Sequence, residues 1–189
     1  EYTDTNSCSN TASFEVEVHD IPNVSISGID ATYCIYEDTV YPTLLPIGGT
    51  FEGSGTFNNV GFVPALAGPG DFELIYHFTD NFGCSDTSYF NTTVFDYANI
   101  EFESTQTLCF GDSTGSAIAT VTGDDPFNYL WNDYASSITN EITNVSSGWY
   151  YLSVTDNNLC LTVDSVFVDQ PPQLIADIVS SINASCHGF

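Results

Sequence analysis

The chain contains no lysine and no arginine, although it has 189 residues and 25 of them are Asp or Glu. Its formal net charge is therefore −25, with a single sign throughout. Partners that carry phosphate, such as nucleic acid and anionic membrane surfaces, are held by Lys and Arg. The composition therefore excludes both as partners and leaves cations or basic partners.

Long apolar runs are also missing, and no stretch approaches the roughly 18 consecutive apolar residues that a membrane-spanning helix needs. We therefore predict no membrane insertion. Apolar residues nevertheless make up 42% of the chain and aromatic residues 14%. This content argues against disorder, because a disordered chain has too few apolar residues to offset the entropy of folding.

One sequence motif, which we call the Thr-Asp phrase, occurs three times at a fixed interval. Asp4, Asp80 and Asp156 each follow a threonine, lie 76 residues apart, and precede a cysteine by four positions. A fixed period of this length indicates tandem modules. Glu1 is not an initiator residue and no signal peptide precedes it, so we expect the chain to be a piece of a larger exported protein.

Six cysteines form two interleaved series, one in the repeated phrase and one near the start of each module. The separations of 50 residues from Cys34 to Cys84 and 51 residues from Cys109 to Cys160 predict one disulfide per module, joining the first strand to the last hairpin. Closing such a loop would stabilise a small module by roughly 4 kcal/mol. It would also place the protein in an oxidising compartment. The two cysteines left without a partner in this sequence are Cys8 and Cys186.

Alternation with a period of two organises the apolar residues, as in the run from Phe72 through Leu74 and Tyr76 to Phe78. Gly and Pro interrupt the sequence every eight to twelve residues, and no long amphipathic stretch occurs. The predicted fold class is all-β: tandem immunoglobulin-like antiparallel β-sandwich modules of about seven short strands, in an extended array. The order of Cys109, Trp131 and Cys160 resembles the immunoglobulin pattern loosely, since Cys109 begins its module.

Two stretches resemble known repeats. Residues 47–94, with IGGTFEGSG and later AGPGDFELIYHFTDNFGCSDT, resemble immunoglobulin-like repeats of giant surface proteins of the Bacteroidota. Residues 107–174, with LCFGDSTGSA, SGWYYLSVTDNNLC and QPPQL, resemble the repeat named after the gliding-motility adhesin SprB, except that Leu159 stands where Gly usually precedes the cysteine. The resemblance implies a long extracellular adhesin or filament at the cell surface, exported by the type 9 secretion route.

The phase of the repeats divides the chain into four parts. We predict that 1–20 is the C-terminal part of an immunoglobulin-like module, 21–97 an immunoglobulin-like module, 98–172 a SprB-type module, and 173–189 the start of another. The linkers are short, and two contain Pro, which restricts bending. Neighbouring repeats of the same chain are therefore expected partners.

Several polar residues are candidate sites. Asp20, Asp96 and Asp169 end successive modules and could hold calcium between them, although solvated carboxylates are the simpler interpretation. The Thr-Asp pairs before each cysteine lack the dense calcium-loop pattern, and Asp is favoured in turns for its local hydrogen bonds. Three Asp-Ser/Thr triplets resemble the O-glycosylation acceptor pattern of the Bacteroidota, which makes Thr39, Ser113 and Ser165 candidate acceptors. Apart from this candidate calcium, the sequence indicates no cofactor.

Catalysis is not predicted. The three histidines lie far apart in the sequence, no nucleophile elbow is present, and no Lys or Arg could stabilise an oxyanion. We predict a structural stalk or spacer of a surface adhesin or filament, which could serve gliding motility. The alternatives are a module that binds extracellular polysaccharide through exposed aromatic residues and a fibre or sheath in which like chains associate laterally. For most aromatic residues, the sandwich core is the favoured location.

The absence of Lys and Arg also predicts resistance to proteases that cleave after these residues. Incubation with trypsin should leave the chain intact even in denaturant, whereas chymotrypsin should fragment the same sample because 14 Phe and 11 Tyr are present. Mass spectrometry of both digests checks this, and specific cleavage by trypsin would refute the idea that the composition protects the chain.

Overall fold

The computed structural model describes residues 1–177 and is all-β apart from one short helix in that range. The chain forms two compact units, the first from Glu1 to Val94 and the second from Phe95 onward. Each unit has its own cluster of buried apolar side chains. The finer four-part division remains a prediction.

The first unit is built from ten strands and a helix of one turn. Its strongest feature is a four-stranded sheet in the order β4-β10-β9-β6, accompanied by the antiparallel pairs β1-β2, β3-β5 and β7-β8. The elements are β1 (Tyr2–Thr3), β2 (Ser9–Asn10), β3 (Ser25–Ser27), β4 (Thr32–Cys34), β5 (Thr43–Leu45), β6 (Thr50–Glu52), β7 (Thr56–Phe57), β8 (Gly61–Phe62), α1 (Pro64–Ala67), β9 (Gly70–Thr79) and β10 (Ser85–Phe95).

The predicted hairpin of the first unit is confirmed. Strands β9 and β10 pair antiparallel from Thr79 opposite Ser85 to Gly70 opposite Val94. Leu74 and Tyr76 are buried on one face of β9, as the alternation predicts. They pack in a core that includes Phe51 and Phe62.

The second glycine of the GGTF motif, Gly49, has a steric reason. A Cβ atom added at Gly49 would collide with the carbonyl oxygen of His77 and lie 2.7 Å from the ring of Tyr76. The backbone N–H of Gly49 donates a hydrogen bond of 2.8 Å to the Tyr76 hydroxyl. Only glycine allows this approach, which holds the start of β6 against β9.

The second unit is a sandwich of two three-stranded antiparallel sheets, β11-β12-β14 and β13-β15-β16. Trp131 is 1% exposed at the centre of its core, and its indole N–H donates to the carbonyl of Thr139 at 2.9 Å. The strands are β11 (Asn99–Thr105), β12 (Gly115–Thr122), β13 (Asn128–Trp131), β14 (Glu141–Val145), β15 (Gly148–Thr155) and β16 (Leu161–Val168). The predicted immunoglobulin-like antiparallel sandwich is confirmed.

One segment with the alternation of a strand forms no strand. Residues 11–24 contain no strand, and Phe14, Val16 and Val18 are 86%, 69% and 86% exposed. The alternation of these residues is the same as in β10 and β16. In the described residues, however, this segment has no partner strand. Its apolar side chains therefore have no sheet against which to be buried.

The predicted disulfide pairs are wrong. Cys34 and Cys160 are each disulfide-bonded. Cys84 and Cys109, their proposed partners, carry free thiols, as does Cys8. Neither the pair Cys34–Cys84 nor the pair Cys109–Cys160 is therefore formed. Cys186, predicted to lack a partner in this sequence, lies outside the described residues.

The position of the first cysteine along the last strand explains the error in unit 1. The N–H of Thr93 donates to the carbonyl of Ala31 at 2.9 Å, so β4 lies beside the far end of β10. Cys34, three residues from Ala31, therefore lies at least six strand positions from Cys84, or roughly 20 Å. Cysteines whose Cα atoms are more than about 7 Å apart cannot form a disulfide.

Unit 2 repeats this arrangement. Cys160 directly precedes β16, whereas the segment containing Cys109 is held at the other end, where the N–H of Thr107 donates to the carbonyl of Asp169 at 3.0 Å. The eight residues of β16 between these ends span about 26 Å. In both units, the two cysteines therefore lie near opposite ends of the last strand.

These assignments predict a labelling pattern. Alkylation of the unfolded, unreduced chain should modify Cys8, Cys84 and Cys109, whereas Cys34 and Cys160 should react only after reduction. Peptide mass spectrometry after chymotryptic digestion measures each site separately. Protection of Cys84 before reduction would restore the pairing inferred from the sequence.

Candidate functional site

The repeated Thr-Asp phrase forms a hairpin turn closed by one carboxylate oxygen. Asp156 Oδ1 accepts the backbone N–H groups of Asn158 at 2.9 Å and Cys160 at 2.8 Å, and the Asp156 side chain is buried. Asp80 makes the same two bonds, to Phe82 at 2.8 Å and Cys84 at 2.9 Å. The turn interpretation of these aspartates is confirmed.

The residue before each cysteine adopts the left-handed conformation that this turn requires. Gly83 has φ +86°, and Leu159 has φ 67° at the equivalent position. Leu159 is 79% exposed and pays a conformational cost that glycine would avoid. A glycine at this position, as at Gly83, therefore has a backbone reason.

The candidate calcium residues are exposed, and two of them serve local turns. Asp96 Oδ1 accepts the N–H of Tyr97 at 2.9 Å, and Asp169 Oδ1 accepts the N–H of Gln170 at 2.7 Å. Asp20 is exposed as well. Within residues 1–177, no three His, Cys, Asp or Glu side chains converge to form a metal site. Calcium at these residues remains a prediction without structural support.

The candidate glycosylation acceptors differ in accessibility. Thr39 and Ser113 are exposed outside the strands, whereas Ser165 lies half-buried within β16. An acceptor hydroxyl must reach a transferase, so Thr39 and Ser113 are the better placed of the three. Glycosylation at all three remains a prediction.

Few titratable groups have unusual surroundings. His77 is held between two hydroxyls, with Nδ1 2.9 Å from Thr87 Oγ1 and Nε2 3.3 Å from Thr79 Oγ1. Burial raises the pKa of Tyr33, whose hydroxyl accepts the backbone N–H of Asp30. His187 lies outside the described residues. These groups form no acid-base pair around a reaction site.

The outer face of the sheet β13-β15-β16 is the most distinctive surface of the described residues. We name it the uncharged face, because none of its ten outward positions carries a charge. These positions are Asn128, Leu130, Trp149, Tyr151, Ser153, Thr155, Leu161, Val163, Ser165 and Phe167.

Aromatic and aliphatic side chains dominate this face. Trp149 is 59% exposed, Tyr151 50% and Phe167 43%. Trp149 and Phe167 are cross-strand partners with ring centroids 5.3 Å apart at an interplanar angle of 55°. Leu130 and Val163 are 52% and 56% exposed beside them. Contiguous exposed apolar groups of this kind mark interaction surfaces.

The equivalent face of unit 1 is different. The outward residues of its β9-β10 hairpin include Asp71, Glu73 and His77, and Asp71 accepts a hydrogen bond of 2.6 Å from the Thr93 hydroxyl. One exposed aromatic residue, Tyr89, stands opposite Ile75. The two units therefore have the same type of hairpin but different outward side chains.

The sequence interpretation missed the uncharged face because it assigned most aromatic residues to the core. The signal was present in the run Gly148-Trp149-Tyr150-Tyr151-Leu152. In a strand, successive side chains point to opposite faces. Three consecutive aromatic residues therefore cannot all be buried in one core.

Comparison with known proteins gives weak structural likenesses. No protein-family model matches the chain, and no curated protein matches its sequence. The insect immune protein hemolin, described as having a domain arrangement with implications for homophilic adhesion, has a TM-score of 0.42 at 14% identity over 79% of this chain and 47% of its own. The amphioxus IgVJ-C2 molecule has a TM-score of 0.31 at 15% identity, covering 83% of this chain and 94% of its own.

The four N-terminal immunoglobulin domains of Dscam1 give a TM-score of 0.31 at 9% identity, over 82% of this chain and 47% of theirs. The chain thus spans less than half the length of the hemolin and Dscam1 structures it resembles. At these levels, the likeness carries no information on function. No helix within residues 1–177 has the length and apolar character needed to cross a membrane.

The hairpin turn yields a prediction about Asp156. Asp156→Ala should destabilise the chain by roughly 2 kcal/mol or more, because the buried N–H of Cys160 and the half-buried N–H of Asn158 lose their acceptor. Asp156→Asn should cost less, since its amide oxygen can accept the same bonds. Urea unfolding of both variants, with calcium and with a chelator, measures this. Equal losses for both variants together with stabilisation of the parent by calcium would instead indicate a metal site.

Proposed function

We propose that the chain is part of the tandem-module stalk of a large extracellular adhesin, and that its role is mechanical. The observation that carries the proposal is the recurrence of one hairpin turn, with the same carboxylate bonds, in two units that differ in strand number and surface. A repeated structural element combined with variable surfaces fits a scaffold. A repeated reaction centre would instead require a conserved set of reactive groups.

Several properties support an extracellular location. Cys34 and Cys160 are disulfide-bonded, which fits an oxidising compartment. The charge of −25 keeps such a chain soluble and disfavours its association with other acidic molecules. The resemblance to Bacteroidota surface repeats adds attachment at the cell surface, type 9 export and a link to gliding motility as the finer part of this proposal.

A non-enzymatic role is also part of the proposal. The chain has no Lys or Arg to stabilise a developing negative charge. The buried Asp156 is occupied by the turn, and His77 is engaged by two threonine hydroxyls. These two groups thus have structural partners.

The proposal predicts that the two cores resist unfolding separately. Under reducing conditions, pulling the chain by its ends should give two unfolding events, one for each core. Trp131→Ala removes a side chain that is 1% exposed in the core of unit 2. It should abolish or weaken the unfolding event of unit 2 only, since such truncations cost about 3 to 5 kcal/mol. Force spectroscopy on single molecules measures both events.

Phe51→Ala is the matched variant for unit 1, because Phe51 is 2% exposed in the other core. Phe51→Ala should abolish or weaken the unfolding event of unit 1 and leave that of unit 2 unchanged. A single unfolding event in the parent, or loss of both events in either variant, would contradict independent modules and with them the stalk.

A further inference from the structure

We propose that the uncharged face of unit 2 binds a neutral extracellular polysaccharide. This inference adds a ligand to the proposed stalk and does not depend on it, because the face belongs to one unit whatever the number of modules. It rests on the exposure of aromatic residues, on the polar groups between them, and on the distribution of charge.

Rigid aromatic residues give this face its binding capacity. Trp149 and Tyr151 lie two positions apart on β15, and Phe167 stands directly across from Trp149 on β16. Both strands lie within the hydrogen-bonded sheet, so little backbone entropy is lost on binding. Aromatic side chains supply a large contact area with few rotatable bonds. The apolar C–H faces of sugar rings are complementary to such a surface.

Polar groups without charge lie between the apolar ones. Ser153 is the cross-strand neighbour of both Leu130 and Val163, and Ser165 is that of Tyr151. Hydroxyl groups both donate and accept hydrogen bonds. They match the hydroxyl groups at the rim of a sugar ring, whereas a purely apolar partner would leave them unsatisfied at a cost.

Charge decides among the candidate partners. The chain carries −25 and no cationic side chain from Lys or Arg, so it repels acidic polysaccharides and other copies of itself. A basic protein would be drawn to the many carboxylates elsewhere and not to a sheet face without any. A ligand that covers this face must therefore be uncharged. Its binding removes no carboxylate from water.

The experiment uses the whole chain in native gels cast with soluble neutral polysaccharides: a β-glucan, an α-glucan and a galactomannan. The high negative charge gives fast migration, so binding appears as retardation in at least one gel. A gel cast with alginate, an acidic polysaccharide, should give no retardation. Loss of binding by about tenfold is expected for the double variant Trp149→Ala and Tyr151→Ala.

Tyr89→Ala is the matched control, because Tyr89 is 61% exposed on the outer face of unit 1. It should be retarded like the parent. Fluorescence gives a second readout, since ligand should shield Trp149 from acrylamide while Trp131 is already buried. The altered side chains are exposed, so an unchanged circular dichroism spectrum is expected to show that the double variant folds.

Three outcomes would overturn the proposal. They are migration unaffected by every neutral polysaccharide, equal retardation of the parent and the double variant, and a dimer of the parent that the double variant fails to form. The last would assign the face to association between copies. None of these outcomes bears on the two independent unfolding events expected for the stalk.

Discussion

A single carboxylate oxygen fixes the last hairpin of each described unit. In unit 2, the bonds from Asn158 and Cys160 to Asp156 determine where the turn begins, and the pairing then runs from Thr155 opposite Leu161 to Gly148 opposite Val168. Side chains alternate along a strand, so a slip of one residue would exchange the two faces. Both the core and the uncharged face therefore depend on this turn.

The same hairpin explains why cysteine spacing was misleading. Nearly equal separations of 50 and 51 residues suggest equivalent bridges, and the separations do reflect a repeated structure. Cys34 and Cys109, however, lie towards the end of the last strand of their units, whereas Cys84 and Cys160 lie at its start. Sequence distance reports the phase of a repeat, whereas disulfide formation depends on distance in space. Only the hydrogen bonds of Thr93 and Thr107 reveal which end is involved.

The parts of the fold that depend on residues close together in the sequence were predictable. Alternation identified β9, and the Thr-Asp phrase identified the turns that follow β9 and β15, because both signals act within a few residues. Pairing partners were not predictable: residues 11–24 have the pattern of a strand but no sheet. The exposed position of Trp149 was also missed, although three consecutive aromatic residues in one strand require at least one of them to face outward. Burial depends on what lies opposite, which no local pattern contains.

The absence of Lys and Arg makes the location of uncharged surface unusually informative. In a chain with both signs, a partner can cover a carboxylate that is already paired within the protein. Among the described residues, the ion pair is the 4.0 Å contact of His19 with Glu17, which requires a protonated imidazole. Covering any other carboxylate removes an unpaired charge from water, at a high cost. The outward carboxylates of β9 therefore keep that face of unit 1 hydrated, as the proposed spacer requires, and the proposed contact with a neutral ligand falls to the uncharged face of unit 2.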